Sequence, residues 1–341
     1  MKVISAIYFD EKRNAGPKAP KDVNEILKNK YGARIYSCLR TGKYRYKIFM
    51  QIIKSRFTNE ITILQYPLLG KKITYLFAKK KKNILFIHDI WSIRNRDINK
   101  ANYEIGIFKH FKYIVVHNER MKRYLINNGI NEKNIYVLDF FDYLTNKIPK
   151  KQLIRKYDTN NLKVIFAGNL KPSKAKFLYQ IEKNKVKFKL NLYGLGFDNN
   201  LLKIDKKDNI KYCDSFEPED LSNINGNLGL VWDGNYNESD ENEDYKYYTK
   251  FNNPHKLSCY LAMNMPVIAW RKSAIAEQIK KYNIGYLISN IYDINNIDFS
   301  DYEVKRKNAE KIGENIRRGY YTQRVIDEII NDMKNEKREE K

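Results

Sequence analysis

Short apolar runs alternate with longer amphipathic stretches along the chain. In the N-terminal half the apolar runs predict five strands, over Val3–Phe9, Ile61–Tyr66, Ile84–Ile87, Tyr113–His117 and Ile135–Leu138. Asp22–Lys30 and Glu119–Asn128 have helical periodicity, and Gly129 is expected to end the second helix. Strands that alternate with helices are typical of a parallel sheet with helices on its faces.

The same alternation restarts after a polar stretch, residues 145–161, which we interpret as a linker. The second set of predicted strands is Val164–Phe166, Phe188–Tyr193, Gly229–Trp232 and Pro266–Trp270. Helices are predicted over Pro218–Ser222, Lys256–Met263, Ala274–Tyr282 and Tyr320–Met333. The pattern therefore predicts two α/β domains, residues 1–150 and 160–318, followed by a C-terminal helix and tail over 319–341. Ligands of such sheets bind at the carboxyl ends of the strands, where functional residues are expected.

Composition supports this organisation and excludes other classes. The 341 residues fit two domains, and 43% hydrophobic residues can supply a core for each. Three cysteines without metal-like spacing exclude a disulfide scaffold and a paired-Cys zinc site, and they fit a reducing, cytoplasmic compartment. No apolar stretch reaches the ~20 residues of a membrane-spanning helix, and Val3–Phe9 is interpreted as a strand rather than a signal peptide.

The formal net charge of +24 predicts attraction to an anionic partner. Nucleic acid, an acidic membrane surface and nucleotide-activated substrates are the candidates. We do not expect nucleic acid, because the sequence contains no recognisable DNA- or RNA-binding motif. The basic run Lys79–Lys82 is either a contact with anionic lipid headgroups or a solvated helix end.

The most informative segment runs from Lys250 to Trp270. Pro254 suits the start of a helix, and Asn252 or Asn253 could cap it. The partial positive charge of a helix N-terminus, with Lys256 in the first turn, suits a diphosphate. The alternative is an ordinary capped helix that carries a lysine.

Two glycine turns at strand ends could admit a ligand close to the backbone. Gly168-Asn169 follows a buried strand, with Lys174 shortly after, and Gly16 follows the first strand. Neither a P-loop nor a G-x-G-x-x-G pattern occurs at these turns, which disfavours a P-loop NTPase and a dinucleotide site. Plain strand-end turns with surface lysines are the alternative.

Two further strand ends carry groups that could act on a substrate. His88-Asp89 would place two proton-transfer groups at the sheet edge, unless they are a hydrogen-bonded histidine and a helix-capping aspartate. Trp232-Asp233 is either a sugar-facing pair or a packed indole with a turn aspartate.

Several stretches, in order along nearly the whole chain, resemble bacterial GT-B glycosyltransferases of the β-1,6-galactofuranosyltransferase kind. They are Arg13–Asp22, Ile87–Ile90, Phe141–Leu144, Ala167–Leu170, Gly229–Gly234, Lys250–Lys256, Pro266–Trp270 and Ile284–Tyr286. The chain is also similar, more distantly, to the glucosyltransferases that extend O-linked GlcNAc on serine-rich adhesins. The resemblance implies two Rossmann-like parallel-sheet domains that face a central cleft.

The resemblance also implies a UDP-hexose donor, bound mainly by the C-terminal half. Lys256 is expected to meet the diphosphate, Phe216 to lie near the nucleotide, and Lys174 to replace a family basic residue whose candidate position is Pro172. The full expected donor-binding set is Gly16, Gly168, Asn169, Lys174, Phe216, Asn253, Pro254, His255, Lys256, Leu257 and Ser258. Trp232 and Asp233 are the sugar-facing candidates.

The expected reaction is displacement of UDP by an acceptor hydroxyl. Retaining GT-B enzymes commonly carry a Glu-x₇-Glu near the position of residues 253–261, whereas residues 250–264 contain no Glu or Asp, which favours inversion. The base of an inverting reaction is expected to be Asp89, with His88 as the second choice. No metal and no cofactor are expected beyond the UDP-sugar, because no Asp-x-Asp stands at a strand end.

The family's acceptors suggest a lipid-linked oligosaccharide of capsule or O-antigen assembly and an enzyme at the inner face of the cell membrane. The alternative function is a UDP-glucose or UDP-GlcNAc transferase that extends a protein-linked glycan. A catalytically silent scaffold module and the formation of a homo-oligomer are also left open by the sequence.

Overall fold

The computed structural model describes residues 3–9, 18–38, 60–67, 82–149, 162–205, 207–238 and 244–339, with residues 50, 74, 75 and 78. The chain divides into two compact units, one of residues 1–142 with 319–341 and one of residues 143–318. The structure thus sets the boundary at 142/143 rather than at 150, and it assigns residues 319–341 to the first unit.

The first unit is a parallel α/β layer structure. Its strands are β1 Val3–Phe9, β2 Arg34–Cys38, β3 Ile61–Tyr66, β4 Asn83–Ile87, β5 Tyr113–Val116 and β6 Ile135–Val137. Its helices are α1 Lys18–Tyr31, α2 Trp91–Arg94, α3 Ile98–Phe108, α4 Glu119–Asn127 and α10 Tyr320–Glu339. The strand order is β2-β1-β3-β4-β5-β6, with all pairs parallel. β3 and β4 are buried at every position, as expected of central strands that are covered on both faces.

The C-terminal helix α10 is part of this first unit. Its start is bonded to Asp142, whose carboxylate accepts hydrogen bonds from the N–H groups of Tyr321 (3.2 Å) and Thr322 (2.7 Å). One face of the helix is buried, and its acidic residues bond to tyrosines of the first unit, as between Tyr136 Oη and Asp332 (2.7 Å). The apolar face of α10 therefore packs on the first unit, although the sequence predicted this helix as part of a separate C-terminal segment.

The second unit repeats the architecture. Its strands are β7 Lys163–Ala167, β8 Lys189–Tyr193, β9 Ile210–Tyr212, β10 Leu228–Val231, β11 Val267–Trp270 and β12 Gly285–Ile288. Its helices are α5 Lys176–Gln180, α6 Asp244–Tyr248, α7 His255–Ala262, α8 Ile275–Tyr282 and α9 Tyr302–Arg317. The order is β12-β11-β10-β7-β8-β9, again parallel throughout. The prediction of two parallel-sheet α/β domains is confirmed.

The predicted linker at residues 145–161 is only partly described. Thr145 donates to the carbonyl of Glu219 (2.9 Å), and Lys147 forms an ion pair with Asp220 (3.1 Å). These bonds attach the start of the predicted linker to the second unit. Residues 150–161 lie outside the described residues.

The prediction of a helix over Pro218–Ser222 is wrong, because this segment forms turns. The Asp220 carboxylate accepts hydrogen bonds from both the N–H and the hydroxyl of Ser222 (3.1 and 2.6 Å). The Leu221 N–H donates outside the segment, to the carbonyl of Lys147 (2.9 Å). Such local and long-range bonds compete with the bonds of a helix.

Within the described part of the chain, none of the helices is both long enough and apolar enough to cross a membrane.

Candidate functional site

The start of α7 is held at the carboxyl edge of the second sheet by Tyr260. The Tyr260 hydroxyl accepts from the Ala167 N–H (2.8 Å) and donates to the Leu230 carbonyl (3.2 Å), so it joins the helix to β7 and β10. The ring packs where Gly229 has no side chain, since a Cβ there would lie 2.1 Å from Tyr260 Cγ. This contact fixes which residues of α7 reach the strand ends.

Lys256 in the first turn of α7 is the central cation of this edge. Its Nζ donates to the Trp232 carbonyl and to Asp233 Oδ1, both at 2.9 Å, and lies 4.4 Å from the centre of the Phe166 ring. Burial lowers the pKa of Lys256, the charge of Lys174 acts in the same direction, and the Asp233 carboxylate opposes both. The ammonium is therefore held in place by a carboxylate 23 residues earlier in the chain.

The cap of α7 differs from the expected one. Neither Asn252 nor Asn253 is the N-cap; Pro254 is, with φ −65° and no side-chain cap bond. Leu257 and Ser258 are buried, as is Asn253, so their side chains lie in the interior. The backbone at the start of the helix is thus what these positions can offer to an anion.

His255, the first residue of α7, lies against an aromatic ring of the same unit. Its imidazole stacks on Tyr143 with the ring centres 5.0 Å apart and the planes at 24°. This stacking fixes the orientation of the side chain that precedes Lys256.

Glycines bring the ends of β7 and β8 into close contact. Gly168 and Gly194 have φ values of +146° and +141°, which favour glycine. The Gly168 N–H donates to the Tyr193 carbonyl (2.9 Å), and a Cβ on Gly194 would lie 1.8 Å from the Gly168 oxygen. This close approach leaves an open backbone at the place where the glycine turn was predicted. Phe216 packs edge-on against Tyr193 beside it (6.2 Å).

The turn after β7 is joined to the end of β10. Asn169 Oδ1 accepts from the Lys171 N–H (3.0 Å), which shapes the turn, and the Lys174 carbonyl accepts from the Gly234 N–H (3.0 Å). The backbone of Lys174 is therefore bonded next to Asp233, in agreement with the effect of its charge on Lys256. The structure brings together Gly168, Asn169, Lys174, Asp233 and Lys256.

Trp232 is buried at the end of the second sheet's central strand β10. Its indole is 2% exposed, donates to the Asn235 carbonyl (2.7 Å) and has the Lys246 ammonium 4.5 Å from its centre. Asp233 is bonded to Lys256. The sugar-facing role of this pair stays a prediction.

In the first unit, His88 stands at the carboxyl end of β4. Its Nε2 lies 2.7 Å from Gln65 Oε1. The Gln65 amide nitrogen donates in turn to Asn24 Oδ1 (2.7 Å) and to the Pro20 carbonyl (3.4 Å). Because the Pro20 carbonyl can only accept, the Gln65 oxygen faces His88, and Nε2 of His88 carries a proton. The ring also stacks on Phe141, at 13° and 5.5 Å.

Asp89, the next residue, is paired with a cation. Its Oδ2 lies 2.7 Å from Arg94 Nε, and its side chain is 17% exposed. Arg94 ends the short helix α2, whose first N–H groups, those of Trp91 and Ser92, donate to the buried carboxylate of Glu104 (3.3 and 2.8 Å). Glu104 thus fixes the helix that positions Arg94.

A second histidine supports the same edge. His117 Nε2 donates to the Ile87 carbonyl (3.1 Å), and its ring meets Phe141 edge-on (4.8 Å). Burial lowers the pKa of His117 to about 3. It is therefore neutral at pH 7 and acts as a fixed hydrogen-bond donor beside His88.

Three partners of the candidate bases were not predicted from the sequence: Gln65 and Asn24 beside His88, and Arg94 beside Asp89. Gln65 offered one signal, because it is a polar residue inside the buried run Ile61–Tyr66. Gly16 and residues 79–81 lie outside the described residues, so their predicted roles are not placed. In the described ranges no group of three or more His, Cys, Asp or Glu side chains could hold a metal ion.

A model of the glucosyltransferase 3-like N-terminal domain matches residues 1–140, and a model of the corresponding C-terminal domain matches residues 164–329. The chain belongs to the glucosyltransferase 3-like family. It is a glycosyltransferase, and the resemblance inferred from its motifs is confirmed.

Two curated relatives span most of this glycosyltransferase. The β-1,6-galactofuranosyltransferase WbbI of Escherichia coli (strain K12) is 28% identical over 344 residues, which cover 95% of the chain and 96% of the relative. Glucosyltransferase 3 of Streptococcus gordonii is 23% identical over 290 residues, or 80% of the chain and 79% of the relative.

Solved structures share the fold of the glycosyltransferase. Anabaena HepE in complex with UDP has a TM-score of 0.61 at 11% identity, with 98% of the chain and 100% of HepE covered. The lipopolysaccharide outer core galactosyltransferase WaaB has the same TM-score, identity and coverage. The fold is GT-B.

Proposed function

We propose that this glycosyltransferase moves a hexose from a UDP-sugar to a sugar hydroxyl in the assembly of a cell-surface polysaccharide. The proposed donor is UDP-galactofuranose, supported by the similarity to WbbI over almost the whole chain. The observation that carries the proposal is the buried Lys256 ammonium, held by Asp233 at the start of α7. A preformed cation beside a helix N-terminus is the chemistry that a diphosphate needs.

In the proposed reaction the acceptor oxygen forms a bond to the anomeric carbon while the bond from that carbon to the UDP oxygen breaks. The leaving diphosphate gains negative charge, which Lys256, Lys174 and the first backbone N–H groups of α7 would stabilise. Gly168 would admit the donor to the backbone, and Phe216 would lie beside the nucleotide. The reaction would need no metal, since these cations supply the charge.

The acceptor hydroxyl must lose its proton as it attacks, and the proposed base is Asp89. Its ion pair with Arg94 holds the carboxylate in a fixed orientation. His88 is the second candidate. Inversion at the anomeric carbon is proposed because residues 250–264 lack a carboxylate that could serve a retaining reaction.

A lipid-linked oligosaccharide is the proposed acceptor, reached at an anionic membrane surface. The net charge of +24 supports this partner. The second candidate function is transfer from UDP-glucose or UDP-GlcNAc to a protein-linked glycan. It is favoured by the match to the glucosyltransferase 3-like domain models.

A donor screen with the purified full-length protein tests the proposal. Calorimetry would measure binding of UDP, UDP-galactofuranose, UDP-glucose and UDP-GlcNAc, each with and without EDTA, and a turnover assay would follow UDP release. We expect UDP to bind in EDTA and UDP-galactofuranose to be the preferred donor. Preference for UDP-glucose or UDP-GlcNAc would favour the second function, and absence of binding by every nucleotide would overturn both.

The proposed base has its own test. Asp89→Asn should lower kcat by about 10²–10⁴-fold, the usual contribution of a general base, with little change in UDP affinity. Near-full turnover by a folded Asp89→Asn variant would exclude Asp89, and the same comparison with His88→Gln would then decide the second candidate.

A further inference from the structure

A polar pocket opens on one face of the second sheet, over β7, β8 and β9. Its volume is about 500 Å³, within the range of small-molecule sites. Three lysines and four asparagines line it, and Lys256 is not among the lining residues. The proposed diphosphate-binding cation therefore belongs to another part of the unit.

Strand register explains why the lysines converge. Lys163 on β7 is the register partner of Lys189 on β8, and Asn191 on β8 is the partner of Lys211 on β9. Side chains of neighbouring parallel strands at paired positions lie on the same face of the sheet. Adjacent like charges on a sheet repel each other, so an anion between them would relieve the repulsion.

The pocket is open because the connection from β9 to β10 forms turns instead of a helix. Among the described residues, the turns leave the polar face of these strands uncovered, while the opposite face, with Leu190 and Ile210, is buried in the core of the unit. Parallel sheets are normally covered on both faces, so a charged open face is a departure from the rule.

Asn225 forms one fixed wall of the pocket. Its carbonyl accepts from the Asn191 amide (2.7 Å), its Oδ1 accepts from Lys163 Nζ (3.1 Å), and its N–H donates to the Tyr193 hydroxyl (3.0 Å). Three bonds to three positions on β7 and β8 hold the wall against the strands. The pocket is thus preformed and not a gap between loops.

The charge of the lining is positive. Its one carboxylate, Asp208, is paired with Lys183 at 2.6 Å, and Lys183 also lies 3.7 Å from Asp205. Within the lining, three lysines (Lys163, Lys189 and Lys211) therefore stand against this one paired carboxylate. A second copy of this face is an unfavourable occupant, because it would bring six lysines together.

We propose that this pocket binds a small acidic carbohydrate, a sugar unit that carries a phosphate or a carboxylate. The ammonium groups match the anion. The amide groups of Asn191, Asn209 and Asn225 each form an internal bond, but an amide has two N–H donors and an oxygen with two lone pairs, so the lining asparagines retain capacity for sugar hydroxyls. A nucleobase is disfavoured because Tyr193, the aromatic residue of the lining, is 6% exposed. This site is separate from the proposed donor site, and its ligand need not be a substrate of the transferase.

Calorimetry on the full-length protein tests the proposal without any activity assay. The probes are glucose 6-phosphate, glucuronate, glucose and inorganic phosphate, each titrated with and without saturating UDP. We expect glucose 6-phosphate or glucuronate to bind one per chain in both conditions, at least tenfold more tightly than glucose and phosphate. If glucose 6-phosphate binds more tightly, the site prefers a phosphate; if glucuronate does, the site prefers a carboxylate.

Charge-neutral variants locate the binding. The pair Lys189→Gln with Lys211→Gln changes two exposed lining residues and should weaken the acidic sugar at least tenfold, with UDP affinity unchanged. The control pair Lys187→Gln with Lys207→Gln removes the same charge from nearby exposed lysines outside the lining and should have no effect.

Four results would overturn the proposal: no binding of either acidic sugar, displacement by UDP, equal affinity for glucose or for phosphate, or equal loss in the control pair. Failure of the donor assignment would appear separately, as absence of UDP binding in the same titrations.

Discussion

At the residue scale, the ion pair between Lys256 and Asp233 contributes both to the stability of the fold and to the proposed binding of the donor diphosphate. Both side chains are about one-tenth exposed, so removal of one partner leaves a poorly solvated charge. Asp233 lies two residues after the end of β10, and Lys256 is the second residue of α7. The pair therefore also fixes the helix start against the sheet edge.

A double-variant cycle separates these two roles. Lys256→Met should weaken UDP binding at least tenfold, about 1.4 kcal/mol, and should lower the free energy of unfolding because Asp233 loses its partner. Addition of Asp233→Asn should recover part of the stability and none of the UDP affinity. Calorimetry and chemical denaturation give the two quantities.

Asp233→Asn alone is the control for this cycle. It should keep UDP binding within a few-fold, because the ammonium remains at the helix start. Full recovery of UDP affinity in the double variant would show that Lys256 has a structural role only.

Gly194 gives a second prediction at this scale. Gly194→Ala would place a Cβ 1.8 Å from the Gly168 oxygen at a φ of +141°, so we expect a loss of at least about 2 kcal/mol in the free energy of unfolding. The matched control is Gly106→Ala in α3, where a Cβ meets no atom within 4 Å. This control should stabilise by up to about 1 kcal/mol through helix propensity. Equal effects in thermal denaturation would contradict the packing argument.

The sequence predicted the positions of the cation and the glycine of the candidate site, but not the residues that pair with the candidate cation and bases. Lys256 and Gly168 stand at a predicted helix start and a strand end, where local rules apply. Asp233 and Arg94 contact their partners only after the chain folds, so spacing could not predict the ion pairs. The same holds for Gln65, which reaches His88 from the neighbouring strand.

At the element scale, α10 begins on Asp142. The carboxylate is buried, and it accepts the N–H groups of Tyr321 and Thr322 at the start of the helix. Burial raises the pKa of Asp142 to about 7, and the hydrogen bonds from Thr322 and Tyr321 oppose this effect in part. The folded state therefore binds this proton more tightly than the unfolded chain does.

The raised pKa makes stability depend on pH. Between about pH 4 and pH 7 the folded state holds more protons than the unfolded chain, so the free energy of unfolding should fall as pH rises through this window. Asp142→Asn removes the titrating group and keeps one acceptor oxygen. The free energy of unfolding of the wild type minus that of Asp142→Asn, measured by urea denaturation, should fall as pH rises from about 4 to 7 and be flat above about 8.

A wild type and an Asp142→Asn variant with parallel pH profiles would show that Asp142 does not titrate in this range. The comparison removes the contributions of all other carboxylates, since both proteins share them.

The central strands were predicted well, whereas three edge strands and one outer helix were missed. β3, β4, β7 and β10 are apolar runs because both faces of the sheet are covered, and this is the strongest local signal. The edge strands β2, β9 and β12 carry exposed or half-exposed positions and gave no such run. Helix α9 is rich in charged residues, so its buried stripe of Ala309, Ile312 and Ile316 was not recognised.

At the scale of the whole molecule, the charge of +24 favours anionic surfaces. We expect the protein to float with vesicles that contain phosphatidylglycerol at low salt and to be released at about 1 M salt, where the Debye length falls to about 3 Å. Charge reversal across Lys79–Lys82 should weaken the association if this run is the contact. Neutral phosphatidylcholine vesicles are the control, and absence of flotation in every form would exclude a membrane partner.

The first unit takes its strands from one end of the polypeptide and its last helix from the other. Residues 143–318 include every strand and helix of the second unit, whereas the first unit is incomplete without α10. The second unit can therefore reach its native state while the first still exposes the apolar surface that α10 will cover. A chain truncated after residue 318 should therefore resist proteolysis in residues 143–318 and remain sensitive in residues 1–142.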